Sequence, residues 1–319
     1  MDGSIANGTC LEHQLIDDEL IAAAAALIRA GELVAFPTET VYGLGANALD
    51  AAAVERIYAA KGRPHSSPLI VHCADVAMAQ SLAAFWPEAA AALAARFWPG
   101  PLTLVVKKTA AIPDAVTAGL PTVGLRVPDH PVALALIRAA GVPIAAPSAN
   151  EFMQLSPTTA EHVRRGLGNR VACVLDGGPS RVGIESTVLS LAGETPVLLR
   201  PGMVSLAELE AVLGPVSALG SFSPEAHPAP GMHDRHYSPR APLFLFRHAF
   251  ARDGRGVVLP LAELGLEPSA YARRLYAALH EADEQGAEWI AVEEPPDAPA
   301  WAGVRDRLRR AAVTDPGAQ

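Results

Sequence analysis

At 319 residues the chain has length for two domains, and with half of its residues hydrophobic it is too apolar to be a disordered protein. Its net charge of −9 excludes a histone-like cationic binder, and three widely spaced cysteines (Cys10, Cys73, Cys173) with no Cys-x-x-Cys pair argue against a disulfide scaffold or a cysteine zinc site. The start has no basic n-region, and its longest apolar run, residues 21–28, is too short to cross a membrane, so a cytoplasmic chain with no membrane partner is expected. In chain order, residues 17–30 read as a helix opening on acids and ending before Gly31, and 33–36 as a short buried strand stopped by Pro37. A helix follows over 50–60 with Asp50 as its N-cap, then a strand at 69–73 and Ala-rich helices to Arg96. Strands are expected at 102–107 and 123–127, a helix at 130–140 closed by Gly141, and short strands at 144–146, 172–175, 186–191 and 197–199 before a last helix at 205–213. This alternation predicts a mixed twisted sheet flanked by helices over residues 1–215.

Residues 216–242 break the pattern, with five prolines and no apolar period, and read as a linker. Beyond it, strands at 243–246, 256–260 and 289–292 and helices at 269–285 and 301–312 predict a small Rossmann-like α/β domain over 243–319.

No Gly-x4-Gly-Lys-Ser/Thr loop, His-Glu-x-x-His or Gly-x-Ser-x-Gly is present. Residues 43–48 fit Gly-x-Gly-x-x-Ala, but six residues separate them from the preceding strand and the next helix begins near Asp50, which is the wrong setting for a dinucleotide fingerprint. Four polar loops do stand out at the ends of apolar strands: 37–45, 61–68, 147–150 and 183–187. Each alone is ordinary turn chemistry; four in one domain point to a ligand site. Of 25 basic residues only Lys61, Lys107 and Lys108 are lysines. Lys107 and Lys108 end a strand and read as a solvated face. Lys61 lies two residues before Arg63, and a point charge beside a planar fork suits a polyphosphate, although cations facing a helix C-terminus are common.

These residues resemble a family. Pro-Thr-Glu-Thr-Val-Tyr-Gly-Leu-Gly (37–45), Lys-Gly-Arg-Pro (61–64), Pro-Leu-Ile-Val-His (68–72), Trp-Pro-Gly-Pro-Leu-Thr (98–103), the Thr-Val-x-x-Arg-x-Pro-x-His-Pro segment (122–131), Ala-Pro-Ser-Ala-Asn (146–150), the segment 156–163, Glu-Ser-Thr-Val (185–188) and Leu-Arg-Pro-Gly (199–202) follow in the order of the YrdC-type threonylcarbamoyl-AMP synthases. The resemblance covers residues 32–213. The run 230–239 is similar to the linker of the longer members, and 271–312, ending Asp-Arg-Leu-Arg-Arg-Ala-Ala, is more loosely similar to their extra C-terminal domain.

The resemblance implies a nucleotidyltransferase that converts L-threonine, bicarbonate and ATP to threonylcarbamoyl-AMP and pyrophosphate, feeding the tRNA threonylcarbamoyladenosine modification. It implies tRNA or the tRNA-modification proteins as further partners, a monomer, and Mg2+ held through the phosphates. Carried over by position, Lys61, Arg63, Ser148 and Asn150 match the catalytic signature. Thr40, His72, Arg126, Ser148 and Ser186 match threonine-binding positions. Lys61, Arg63, Ser67, Thr122, Asn150, Thr158, Arg200 and Tyr237 match positions around ATP, with Tyr237 making the linker a lid. His72 also fits a core histidine, Tyr237 linker packing, and Thr122 a plain strand residue. Glu39 and Glu185 face the site by position without an assigned role, and His233 and His236 resemble a metal pair only superficially, with no cysteine or third histidine beside them.

The chain departs from the pattern in three places. Ser67 stands where Asn is usual; the loop after Asn150 loses its glycine, which predicts a stiffer loop; and the C-terminal domain looks short by one strand–helix unit. Two other classes remain in view: an RNA-binding module of the same fold, and a carbamoyl-transfer enzyme of the hydrogenase-maturation type, for which the chain lacks length and cysteines.

Overall fold

The structure, a computed structural model, describes residues 17–218 and 237–313. Most of the linker, including His233 and His236, therefore lies outside the described residues, as does Cys10.

Helix α1 (Asp18–Arg29) is capped by Asp17, whose carboxylate accepts from the Glu19 amide. Strands β1 (Val34–Phe36) and β2 (Gly43–Asn47) pair antiparallel. Helix α2 (Ala51–Lys61) is capped by Asp50 and closed by Gly62 in the left-handed region, and leads to β3 (Ile70–His72). Helices α3 (Val76–Leu82) and α4 (Glu88–Phe97) follow, then β4 (Leu102–Lys107), α5 (Asp114–Thr117), β5 (Thr122–Arg126), α6 (Pro131–Ala140) and β6 (Ile144–Ala145). The first unit ends with α7 (Ala160–Leu167), β7 (Cys173–Val174), β8 (Thr187–Ser190), β9 (Val197–Arg200), α8 (Leu206–Leu213) and β10 (Ser217–Ala218). Among the described residues these strands form one mixed ten-stranded sheet, ordered β10-β9-β8-β4-β5-β3-β6-β2-β1-β7. Buried residues of α2, β3 and β5 share one apolar cluster, and α1 and α6 pack together in another.

The sequence places a polar loop where β2 lies. Two glycines made it unlike a strand, yet both are there to let backbones close. A Cβ on Gly45 would sit 2.7 Å from the Phe36 ring and 2.8 Å from the Ile144 methyl. The Gly-x-Gly motif is thus a strand-packing device. Helices α5 and α7 were also not expected; α5 is a single turn, and α7 opens inside a loop motif with Thr159 as its cap. Lys107 is exposed, but Lys108 is not simply solvated, because its ammonium bonds to Asp114 (2.6 Å), the Ile112 carbonyl and Thr117.

The second unit holds β11 (Leu243–Phe246), β12 (Gly256–Leu259), α9 (Leu261–Leu264), α10 (Pro268–Glu284), β13 (Trp289–Glu293) and α11 (Ala302–Ala311). Its three strands are parallel, with β13 central. Helix α10 buries Tyr271, Leu275, Tyr276 and Leu279 against the sheet and against the first unit. Contact with the first unit is close. Gly183, at φ +86°, leaves no room for a Cβ, which would fall 2.3 Å from the Ala272 carbonyl oxygen of α10. No helix among the described residues is long and apolar enough to cross a membrane.

Candidate active site

The four polar loops of the first unit converge. The Leu44 amide donates to the Pro147 carbonyl (2.8 Å) and the Ala149 amide to the Tyr42 carbonyl (2.8 Å), which ties the 37–45 loop to the 147–150 turn. The Val182 and Gly183 amides donate to the Glu39 and Thr40 carbonyls, which adds the 183–187 loop, and the Phe152 amide donates to the Lys61 carbonyl, which adds the end of α2. Polar loops are buried here because their backbone groups satisfy one another.

One cavity opens among them. Of the residues expected in the site, Thr40, Arg63, His72, Arg126, Ser148, Ser186, Arg200 and Tyr237 all line it, together with Thr38 and Glu185. Arg63, Arg126 and Arg200 are each almost fully buried and come from three different parts of the sheet region. Arg126, at the end of β5, donates from Nε to the Gly100 carbonyl (3.2 Å) and meets the Glu39 carboxylate 2.7 Å away. Arg63 donates to the Ser67 hydroxyl (2.7 Å) and the Pro68 carbonyl, so Ser67 is joined to the site through Arg63. Burial lowers the Arg63 pKa to about 10, still cationic at neutral pH. Arg200, at the end of β9, donates to the Ser186 carbonyl from Nε (3.1 Å) and Nη2 (3.0 Å), and Ser186 hydrogen-bonds Thr103 (2.8 Å). His72 ends β3 edge-on to Phe36; burial, then the Arg126 charge, lowers its pKa to about 3, so it is a neutral imidazole.

Lys61 stands in the wall rather than on the cavity. Its ammonium donates to the Ser148 carbonyl (2.5 Å) and to the Asn150 carbonyl, with the Asn150 side-chain oxygen 3.4 Å away. Burial first, then the charges of Arg63 and Arg170, pull its pKa well below the lysine range. Asn150 in turn donates to the Glu151 (2.7 Å) and Gln154 (2.8 Å) carbonyls. Lys61, Ser148 and Asn150 are thus brought together as one corner.

Two expected residues stand apart. Thr122 lines a separate groove on the sheet with Thr103 and Gly124, as its place on β5 dictates. Thr158 lies near His162, and its carbonyl accepts from the Ser180 amide. The loop after Asn150 bears the mark of its lost glycine. Met153 takes φ +70°, the left-handed region glycine occupies cheaply, so the lost glycine is paid in backbone strain.

Two residues have roles that sequence alone did not show. Glu39 is buried behind Arg126. Glu185 accepts from Ser156 (2.5 Å), from the Tyr276 hydroxyl (3.2 Å) of α10 and from Arg307 Nε (2.7 Å) of α11. Burial pushes the Glu185 carboxyl up, but Arg307, Arg200 and the Ser156 hydroxyl outweigh it and hold it below the usual range. Tyr237, where the chain re-enters the described residues, is buried at φ +62° with Arg307 5.3 Å from its ring. Both acids occur in motifs the sequence singles out; their partners lie 87 and 122 residues away, beyond any local signal.

Fold and site together define a class: a two-domain α/β protein whose arginine-lined cavity is braced by its second domain through Glu185. The sequence profile of the Sua5, YciO and YrdC family, described as telomere recombination, matches residues 26–202, and that of the threonylcarbamoyl-AMP synthase C-terminal domain matches 204–313. The chain belongs to this Sua5 family in its long, two-domain form. It is 45% identical to the threonylcarbamoyl-AMP synthase of Bacillus subtilis, over 93% of this chain and 94% of that one. The crystal structure of Pyrococcus abyssi Sua5 complexed with L-threonine superposes with a TM-score of 0.87 at 42% identity, covering 94% of this chain and 96% of that one. A putative threonylcarbamoyl-AMP synthase of Mycobacterium tuberculosis is 42% identical over 61% of this chain and 89% of its own length.

Proposed function

We propose that the chain is an L-threonylcarbamoyladenylate synthase, a nucleotidyltransferase that forms threonylcarbamoyl-AMP and pyrophosphate from L-threonine, bicarbonate and ATP. The observation that carries this reading is three buried arginines facing one cavity in a chain 42–45% identical to synthases of that name. Arg126 offers its guanidinium to the threonine carboxylate, with Thr40, His72 and Ser186 around it. A neutral His72 adds no second positive charge next to the substrate ammonium. The threonine amine, once deprotonated, attacks the bicarbonate carbon, releasing water and leaving a carbamate. A carbamate oxygen then attacks the α-phosphorus of ATP while the bond to the β-phosphate oxygen breaks and pyrophosphate departs. Such a step needs alignment and fixed positive charge more than a nucleophilic side chain. Arg63, Arg200 and the Lys61 corner with Ser148 and Asn150 supply it, Ser67 orients Arg63, and Tyr237 walls the cavity. Thr122 and Thr158 do not line the cavity and are given no direct contact with ATP.

Magnesium fits this donor set only as a companion of the triphosphate. Both carboxylates beside the cavity, Glu39 and Glu185, are committed to arginines, and no group of three or more metal-ligating side chains occurs among the described residues. When bound it neutralises phosphate charge. The product would be consumed in tRNA modification by partner proteins; we place the enzyme in the cytoplasm as a monomer. The test is mass spectrometry of the product together with pyrophosphate release. Release requiring both threonine and bicarbonate is expected; turnover indifferent to threonine would overturn the reading.

A further inference from the structure

We propose that Arg307, on the last helix of the second domain, is a positioning residue of the active site. Its guanidinium is fully buried and reaches the first domain with all three of its nitrogens. Nε donates to the Glu185 carboxylate (2.7 Å), Nη2 to the Glu185 carbonyl (3.1 Å) and Nη1 to the Pro201 carbonyl (3.0 Å). Those two carbonyls belong to the residues next in sequence to Ser186 and Arg200, both of which line the cavity. The same guanidinium lies 5.3 Å from the ring centre of Tyr237, a third cavity residue. One side chain therefore fixes the backbone beside a threonine-facing serine, the backbone beside a phosphate-facing arginine, and a wall tyrosine. Asp306 bonds Nη1 (2.7 Å) and orients the fork. Close backbone approach supports the contact: a Cβ on Gly303, one turn earlier on α11, would lie 2.7 Å from the Gly202 carbonyl oxygen.

A planar fork with fixed donor directions can make these bonds; a lysine ammonium cannot span them. The second domain is then part of the site's architecture, not only a neighbour. This rests on the synthase reading above, so wild-type threonine-dependent pyrophosphate release is the reference measurement. Its absence would remove that reading and say nothing against Arg307.

The test compares Arg307→Lys with Arg165→Ala. The second variant breaks a different, half-exposed interdomain ion pair, Arg165 with Glu284, neither of which lines the cavity. Losing charge-assisted hydrogen bonds of this kind is expected to lower kcat/KM for threonine by about 10- to 100-fold in Arg307→Lys, with KM rising for threonine and for ATP. Arg165→Ala is expected to stay within about 2-fold of wild type, since exposed pairs contribute little. Should Arg307→Lys fail to fold, Glu185→Gln, which keeps the shape and removes the charge Arg307 grips, is read in the same assay and is expected to raise both KM values. Wild-type kinetics in the variant read would overturn the proposal, as would an equal loss in Arg165→Ala, which would make domain docking alone the cause.

Discussion

The cavity has two corners that are stabilised in different ways. At the Lys61 corner, every bond is local to the first domain: one ammonium holds the Ser148 and Asn150 carbonyls, and Asn150 holds its own following loop. At the Glu185 corner, Ser156 of the first domain is joined by donors from across the domain boundary, Tyr276 and Arg307. The first arrangement is thus complete within one domain, whereas the second needs both.

The strongest way to break this contrast is at the self-contained corner. Lys61→Ala removes a buried donor and leaves two carbonyls unpaired, so pyrophosphate release is expected to fall by about 10²- to 10³-fold, the usual loss for one preorganised charge donor. Circular dichroism would check that the fold persists; near-wild-type turnover would remove Lys61 from the mechanism. Next in size is Arg126→Lys. It keeps a cation beside Glu39 but loses the fork that serves Gly100 and a carboxylate together. KM for threonine is expected to rise about 10-fold with KM for ATP little changed, measured by steady-state kinetics. A matching rise in both would place Arg126 on the nucleotide instead.

The same contrast decides what was legible in the sequence. The Lys61 corner is written in two short motifs, Lys-Gly-Arg and Ser-Ala-Asn, and the helix end that carries Lys61 is marked by its Asp50 cap and Gly62. Helix caps and buried strands read correctly because they rest on local chemistry. Strand β2 did not, since its glycines answer to Phe36 and Ile144, which only the folded sheet brings near. Arg307 was visible as one basic residue in a run ending Asp-Arg-Leu-Arg-Arg. Nothing nearby in sequence shows that, unlike its neighbours, it is fully buried against an acid 122 residues earlier.

The domain boundary also carries a titration. His162 of α7 stacks on His280 of α10, ring centres 3.8 Å apart, with Glu161, Glu281, Asp283, Glu284 and Arg165 on the surrounding turns. Burial, then the neighbouring ring, lowers the His162 pKa to about 4, and burial lowers that of His280. A histidine depressed in the fold stays neutral there while the unfolded chain takes up a proton below about pH 6.5. Stability is therefore full above pH 6.5 and is lost as pH falls from 6.5 toward 4. Melting midpoints across that range are expected to fall less steeply in His162→Gln than in wild type. Parallel curves would show that the stacked pair does not sense pH.

The smallest effect is expected where the self-contained corner meets the boundary. Met153 sits at φ +70° and is 37% exposed, while its carbonyl accepts from the Ser238 amide (2.9 Å) beside Tyr237. The bond is a backbone one and survives any side chain at 153. Left-handed backbone costs a non-glycine residue about 1–2 kcal/mol, and glycine gives back roughly half of the relief through its freer unfolded chain. Met153→Gly should then gain about 0.5–1 kcal/mol, a rise of about 1–3 °C in Tm for a chain of this size. Turnover should be unchanged, because Asn150 still holds the Gln154 carbonyl and Lys61 still holds Asn150. A lower Tm would mean that the Met153 side chain contributes more packing than its exposure suggests. A changed KM at higher Tm would mean that the strain itself sets the position of the Asn150 loop, and the first corner would no longer count as complete by itself.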